Sequence, residues 1–162
     1  MRVSPSIRQA LAMTALCVSA QALAEPAKIG MITTLSGGGA SLGIDIRDGF
    51  ELALKERNGQ LGGIDVEMMI VDDGRKVDNA KQIATRMVER DQVDAMTGIV
   101  WSNLAMAVIP GVTADGTIYI SPNAGPSLLA GKRCHPNYFN VAWQNDNLHE
   151  AMGQYVTDQG YQ

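Results

Sequence analysis

Cysteine is nearly absent from this chain. Only Cys17 and Cys134 occur, and Cys17 falls within the first 24 residues, so no disulfide can form inside the part that follows. In an exported chain an odd cysteine is either a buried thiol or one half of a bridge whose partner is missing. Histidine is as scarce. Cys134-His135 and His149-Glu150 lack metal-ligand spacing, and His149-Glu150-Ala151-Met152-Gly153 lacks the second histidine of a zinc helix. No G-x-S-x-G surrounds Ser102, which excludes a nucleophile elbow there. These absences leave no catalytic residue, metal ligand or cofactor to name. A basic surplus is missing too: 13 Lys and Arg stand against 17 Asp and Glu. Nothing resembles a footprint for nucleic acid, and no basic amphipathic helix points to a membrane surface. Long apolar runs are absent as well, none reaching the ~18 residues a transmembrane helix needs.

What is present begins with an export signal. Arg2 and Arg8 form a basic start, Ala10 to Ala20 is mostly apolar, and Ala22-Leu23-Ala24 reads as an A-x-A cleavage site. Cleavage after Ala24 leaves residues 25–162 as a free, exported chain. A lipoprotein signal fits less well, because Cys17 follows Leu16 where a small residue is wanted. The leader carries two basic residues and no acidic one, so the mature chain is more acidic than the whole-sequence net charge of −4.

Past the leader, strand-like and helix-like segments alternate. Lys28–Leu35 reads as a strand that runs into the small residues Ser36–Ser41. Leu42–Asn58 has helical spacing, with Ile46, Phe50, Ala53 and Leu54 on one face. Asn58-Gly59 and Gly62-Gly63 then mark a turn. Ile64–Val71 is a second strand, closed by Asp72-Asp73-Gly74, and Val77–Val88 a second helix. Val93–Val100 carries a third strand, and Ser102–Ala114 a third helix with a kink expected at Pro110. Thr117–Ser121 and Tyr138–Trp143 read as further strands, and Asn147–Asp158 as a last helix. The pattern predicts an α/β fold, an open parallel sheet with helices on both faces. Such sheets bind ligands beyond the carboxyl ends of their strands, where strand order reverses. Three loops meet that description, Leu35–Gly43, Val100–Asn103 and Ser121–Ser127, all of small or hydrogen-bonding residues.

Each loop has an alternative reading. Gly37, Gly39 and Gly43 with Asp72 and Asp73 suggest a dinucleotide loop, but the spacing is G-x-G-x-x-x-G, and a flexible loop with a solvated strand end explains them better. Ser102 and Asn103 open the third helix, where the serine either caps it or joins its free N–H groups in gripping a ligand carboxylate. Trp101 is a core aromatic or a pocket wall. Ser121–Ser127 is a connection or an anion-binding concavity of backbone amides.

Lys28-Ile29-Gly30, Ser36-Gly37 before Gly43, Asp72-Asp73 with Ala80, Gly98 and Ser121-Pro122, in that order and spacing, resemble type I periplasmic substrate-binding proteins. The resemblance is to the branched-chain amino-acid-binding family that serves ABC importers, and it covers Lys28 to Gln162. It implies a periplasmic, non-enzymatic protein of two lobes, with a small-molecule ligand in the cleft between them and a membrane permease as partner. It implies further that Ser102 and the stretch Asn123, Ala124 and Gly125 hold the ligand's carboxylate. A tyrosine that lines the family's pocket falls on Leu42, and a frequent threonine falls on Gly125. Those departures count against an ordinary aliphatic amino acid, and Trp101-Ser102-Asn103, Asn123–Ser127 and Trp143-Gln144-Asn145-Asp146-Asn147 resemble the branch that binds aromatic acids, where an indole beside a carboxylate clamp suits a flat apolar acid.

Family members are over twice this long, so the expected organisation is a leader over residues 1–24 and the first lobe only over residues 25–162, with the partner of Cys134 in the missing part. Two rival functions remain at this stage: a ligand-sensing domain of a receptor or regulator of the same fold, and a nucleotide-dependent α/β enzyme.

Overall fold

A computed structural model describes residues 25–161 of the chain. The expected leader and its cleavage after Ala24 lie outside the described residues. In chain order the elements are β1 (Ala27–Thr33), α1 (Ala40–Glu56), β2 (Gln60–Leu61), β3 (Ile64–Asp72) and α2 (Val77–Thr85), whose last turn widens into a π-helical segment at Arg86–Arg90. There follow β4 (Ala95–Thr97), α3 (Ser102–Ala114), β5 (Ile118–Ser121), the short α4 (Ser127–Ala130), β6 (Tyr138–Asn140) and α5 (Asp146–Asp158).

The six strands form one sheet in the order β2-β3-β1-β4-β5-β6, parallel throughout except for the β2–β3 pair. From β1 the chain steps outward to β3, then crosses back over β1 to β4 and continues the other way. The reversal of strand order therefore lies between β1 and β4, which is where an open α/β sheet leaves a crevice at its carboxyl edge. The β1–β3 register runs from Ala27 opposite Val66 to Thr33 opposite Asp72. It sets Thr34, one residue past β1, beside Asp73.

Strand alternation decides which side chains meet the helices. Ile32, Met96 and Tyr119 pack with Ala80, Ile83, Ala84 and Met87 of α2 and with Leu104, Ala105, Val108, Ile109 and Val112 of α3. Each large side chain fully buried here contributes roughly 2 kcal/mol of transfer free energy. Helix α1 lies on the opposite face, where Gly43 sits directly on Thr33 and the Thr34 carbonyl. Toward the β6 edge that face is open, with Ile118, Ile120 and Phe139 exposed. Helix α5 buries none of its residues, and Leu148, Met152 and Tyr155 stand on its exposed surface.

Several sequence expectations are corrected. The third strand shrinks from Val93–Val100 to Ala95–Thr97. Gly98 leaves it at φ 105°, in a place where a Cβ would lie 2.8 Å from the Ile32 carbonyl oxygen. The last strand ends at Asn140 because its side chain folds forward, with Oδ1 accepting the Ala142 N–H at 2.9 Å. Of the expected inner face of α1, only Leu54 is buried. Asp73 is not a solvated strand end but fully buried, and Cys134 is exposed rather than a buried thiol.

Candidate functional site

The carboxyl edge of the sheet gathers five connections, and hydrogen bonds tie them into one surface. The D-D-G turn after β3 makes the first tie. Asp72 Oδ1 accepts the N–H of Leu35 and of Gly74, both at 2.8 Å, so one carboxylate closes its own turn and holds the loop after β1. Asp73 Oδ1 accepts the Thr34 hydroxyl and the Arg75 N–H, each at 2.7 Å. Thr34 Oγ1 in turn accepts the Trp101 indole N–H at 3.0 Å. A relay therefore runs Trp101 to Thr34 to Asp73 across three strand ends. Burial pushes the Asp72 carboxyl up, but the Ser36 hydroxyl and the N–H groups of Leu35, Gly74 and Ser36 outweigh it and hold the group below its ordinary value. Burial, helped by the nearby Tyr138 and Asp73, holds the Tyr119 hydroxyl well above the usual phenol range against the opposing pull of the Ile99 N–H; the Tyr119 oxygen accepts that N–H at 3.2 Å beneath the loop after β4.

Trp101 is held on three sides. The Arg75 guanidinium lies 3.9 Å from the ring centroid, a cation–π stack worth about 0.5–1 kcal/mol at an exposed position. Gly39, at φ 85°, abuts the ring edge so closely that a side chain there would overlap the indole. Trp101 packs against the core from the carboxyl edge of the sheet, with one face covered by Arg75.

Helix α3 starts at Ser102, with Trp101 in extended conformation before it and no side-chain cap. The capping reading of Ser102 is therefore overturned. Its first N–H groups have no acceptor within the helix and carry its positive end. Ser102 Oγ instead accepts an N–H from the Asn145 amide at 2.9 Å. The loop after β5 is fastened to the same place, since the Asn123 amide donates to the Val100 carbonyl at 2.8 Å. Within that loop, the Ser121 hydroxyl donates to the Ala124 carbonyl at 2.6 Å, and the Tyr138 hydroxyl donates to it at 3.4 Å. The Gly125 carbonyl accepts the Asn145 N–H at 2.8 Å. A Cβ on Gly125 would overlap the Trp143 carbonyl and crowd the Asn140 amide, so no larger side chain has room at that position.

Trp101, Ser102, Asn123, Ala124 and Gly125 are thus brought together. Leu42 stands in the first turn of α1, 45% exposed, and joins the group only through Gly39, whose carbonyl accepts its N–H at 3.2 Å. Sequence reasoning missed Thr34 and Arg75 as site-builders; it weighed Asp73 only for a ribose, and Asn145 only within the Trp143–Asn147 stretch that resembles the aromatic-acid branch. The double aspartate before a glycine was a signal for the pair of Thr34 and Asp73; nothing local marks Asn145 as the partner of a serine 43 positions earlier. Among the described residues no group of three or more His, Cys, Asp or Glu is placed to hold a metal. A groove of about 200 Å³ lies elsewhere, between α2 and α3, lined by Ala84, Val88, Val108 and Val112.

Chemically, the edge offers a positive helix end, a hydroxyl and a polar backbone loop beside an indole. Residues 26–162 match the periplasmic binding protein family. A curated relative, the Leu/Ile/Val-binding protein homolog 3 of Brucella melitensis, is 28% identical over 131 residues, which is 79% of this chain and 35% of its own. The solute binding protein of an ABC transporter from R. palustris, solved in complex with benzoate, is similar at a TM-score of 0.78 and 31% identity, over 83% of this chain and 38% of that one. The branched-chain amino acid transporter substrate binding protein of Streptococcus pneumoniae, solved with isoleucine, is similar at 0.67 and 27% identity, over 74% and 34%. The chain spans little more than a third of the length of each of these relatives.

Proposed function

The chain belongs to the periplasmic binding protein family, and on that premise we propose that it forms the first lobe of the solute-binding component of an ABC importer. The family is extracytoplasmic by description, and the fold is that of type I periplasmic binding proteins. In this reading residues 1–24 are the export leader, cleaved after Ala24, and residues 25–162 supply one wall of a ligand cleft. The ligand is a small carboxylate-bearing molecule, a branched-chain or other amino acid or an aromatic acid. A membrane permease recognises the loaded, closed form.

One observation carries the proposal. The N-terminus of α3 is uncapped, and Ser102 stands on it beside the Asn123–Gly125 loop, to which Asn123 and Asn145 tie it. A carboxylate set there accepts helix N–H groups and the Ser102 hydroxyl, and both interactions are charge-assisted. Trp101 walls the site on one side, and Leu42 lies at its rim. The dinucleotide alternative loses its main support, because Asp72 and Asp73 are spent on loop N–H groups and the Thr34 hydroxyl rather than left for a ribose. The benzoate complex of the R. palustris relative supports the aromatic branch and the isoleucine complex of the Streptococcus relative the aliphatic one.

A thermal-shift screen tests this in the complete reading frame that carries the chain. The panel holds benzoate, 4-hydroxybenzoate, leucine, isoleucine and nicotinamide nucleotides. Ligand present at a hundred times its Kd stabilises the folded protein by about 2.7 kcal/mol, a readily measured rise in Tm. Stabilisation by one class of acid is expected. A response to nucleotides alone refutes the proposal.

A further inference from the structure

Asn145 touches both halves of the proposed carboxylate grip, and the direction of its bonds carries information. Its N–H donates to the Gly125 carbonyl at 2.8 Å, and its side-chain amide donates to Ser102 Oγ at 2.9 Å. It stands just before α5 in the position where a side chain often caps the helix, yet it makes no capping bond. The amide is committed to the site instead. A serine hydroxyl has one hydrogen to give and two lone pairs to accept with. With Asn145 filling a lone pair, the one hydrogen of Ser102 is left for a different acceptor. Beside it lies the uncapped end of α3, whose first N–H groups are donors as well. So oriented, the helix N–H groups and the Ser102 hydroxyl all have a hydrogen to give, and the second lone pair of Ser102 is the one acceptor left among them.

We propose that Asn145 is a positioning residue that turns the Ser102 hydrogen toward the ligand, and so favours ligands presenting an acceptor-only anionic group, a carboxylate over its amide. This rests on the reading of the α3 terminus as the ligand site. Removing the amide while keeping its bulk, as in Asn145→Leu, frees the hydroxyl to turn either way. Asn145→Asp goes further: the new carboxylate captures the Ser102 hydrogen and turns a lone pair toward the ligand. A carboxylate ligand is then repelled, whereas a carboxamide can donate to that lone pair and is retained.

The test measures Kd by calorimetry for two matched pairs, benzoate with benzamide and isoleucine with isoleucinamide, using the complete reading frame. The pair whose acid the wild type binds is the one that reads out. The wild type should prefer the acid. Asn145→Leu should reduce that preference roughly threefold to tenfold, the worth of one net hydrogen bond, and Asn145→Asp by more than tenfold, because a bond to a charged group is lost. Asn145→Leu carries no new charge and answers the question alone should the aspartate variant not fold. If either folded variant weakens acid and amide equally, Asn145 is only a structural tie and the inference falls while the ligand site stands. If the wild type binds neither acid, or Ser102→Ala leaves acid binding untouched, the reading beneath it falls and takes the inference with it.

Discussion

The sharpest test of the relay contrasts two adjacent threonines, both fully buried. Thr34 Oγ1 donates to Asp73 at 2.7 Å and accepts from Trp101 at 3.0 Å; Thr33 Oγ1 has no hydrogen-bond partner among the described residues. Valine copies the shape of threonine and deletes the hydroxyl. At Thr34 that removes a bond to a carboxylate, worth about 1.5–3 kcal/mol, and leaves a part-buried indole N–H unpaired at about 1 kcal/mol more. Asp73 is then worse off still, because its Oδ2 already lacks a partner and only the Arg75 N–H continues to serve Oδ1. The added methyl returns roughly 0.8 kcal/mol, so Thr34→Val should cost about 2–3 kcal/mol. Thr33→Val should be neutral or stabilising by about 1 kcal/mol, since it removes an unsatisfied polar atom. Urea denaturation at constant m-value reads both. A double-mutant cycle of Thr34→Val with Asp73→Asn should show a coupling of about 1–3 kcal/mol. A Thr34→Val cost below about 0.5 kcal/mol, or equal costs at both threonines, refutes the relay.

Three other predictions follow from the same geometry. Gly125→Ala drives a methyl against the Trp143 carbonyl and the Asn140 amide; it should cost about 1–3 kcal/mol in denaturation and abolish the thermal response to an acid, whereas Gly111→Ala, where nothing lies near, should do neither. Arg75 stacks on Trp101 from a left-handed φ of 57°, so Arg75→Ala should lose about 0.5–1 kcal/mol of cation–π energy; Arg75→Gly also relieves about 1 kcal/mol of backbone strain and should come out the more stable of the two in the same assay. Asp72 has a folded-state pKa held below its ordinary value. Its contribution is therefore complete above the unfolded value of about 3.9 and fades as pH falls through the lower folded one. The stability gap between wild type and Asp72→Asn, followed by denaturation against pH, should be widest near neutrality and close below that window; a gap that widens in acid contradicts the assignment.

How far the sequence carried can be traced element by element. β3 was expected to end at Val71 and ends at Asp72, because apolar content and the D-D-G turn act locally. α2 was legible from Val77, Ala80, Ile83, Ala84 and Met87, and its expected apolar stripe is the one that meets the core. The π-helical widening at Arg86–Arg90 and the short α4 left no local signature. β4 and β6 fell short because the extended backbone was interrupted by a neighbour: Gly98 by the passing β1 carbonyl, Asn140 by its own side chain. The same division holds in the site. Ser102 at a helix start and the Asn123–Gly125 loop are local features and were readable. Ser102 bonded to Asn145, Thr34 bridging Asp73 and Trp101, and Arg75 over the indole are pairings between distant parts of the chain. Only the order of strands in the sheet creates them.

The most direct test of the central claim is calorimetric titration of the acid that scores in the thermal screen into the wild type and into Ser102→Ala. Losing one charge-assisted hydrogen bond at the α3 terminus should weaken binding by roughly tenfold to a hundredfold, with stability lowered by no more than the roughly 0.5–1.5 kcal/mol of the lost bond from Asn145. Equal affinity in the two proteins, with the fold intact, contradicts the account, and the carboxylate is then held elsewhere on the molecule.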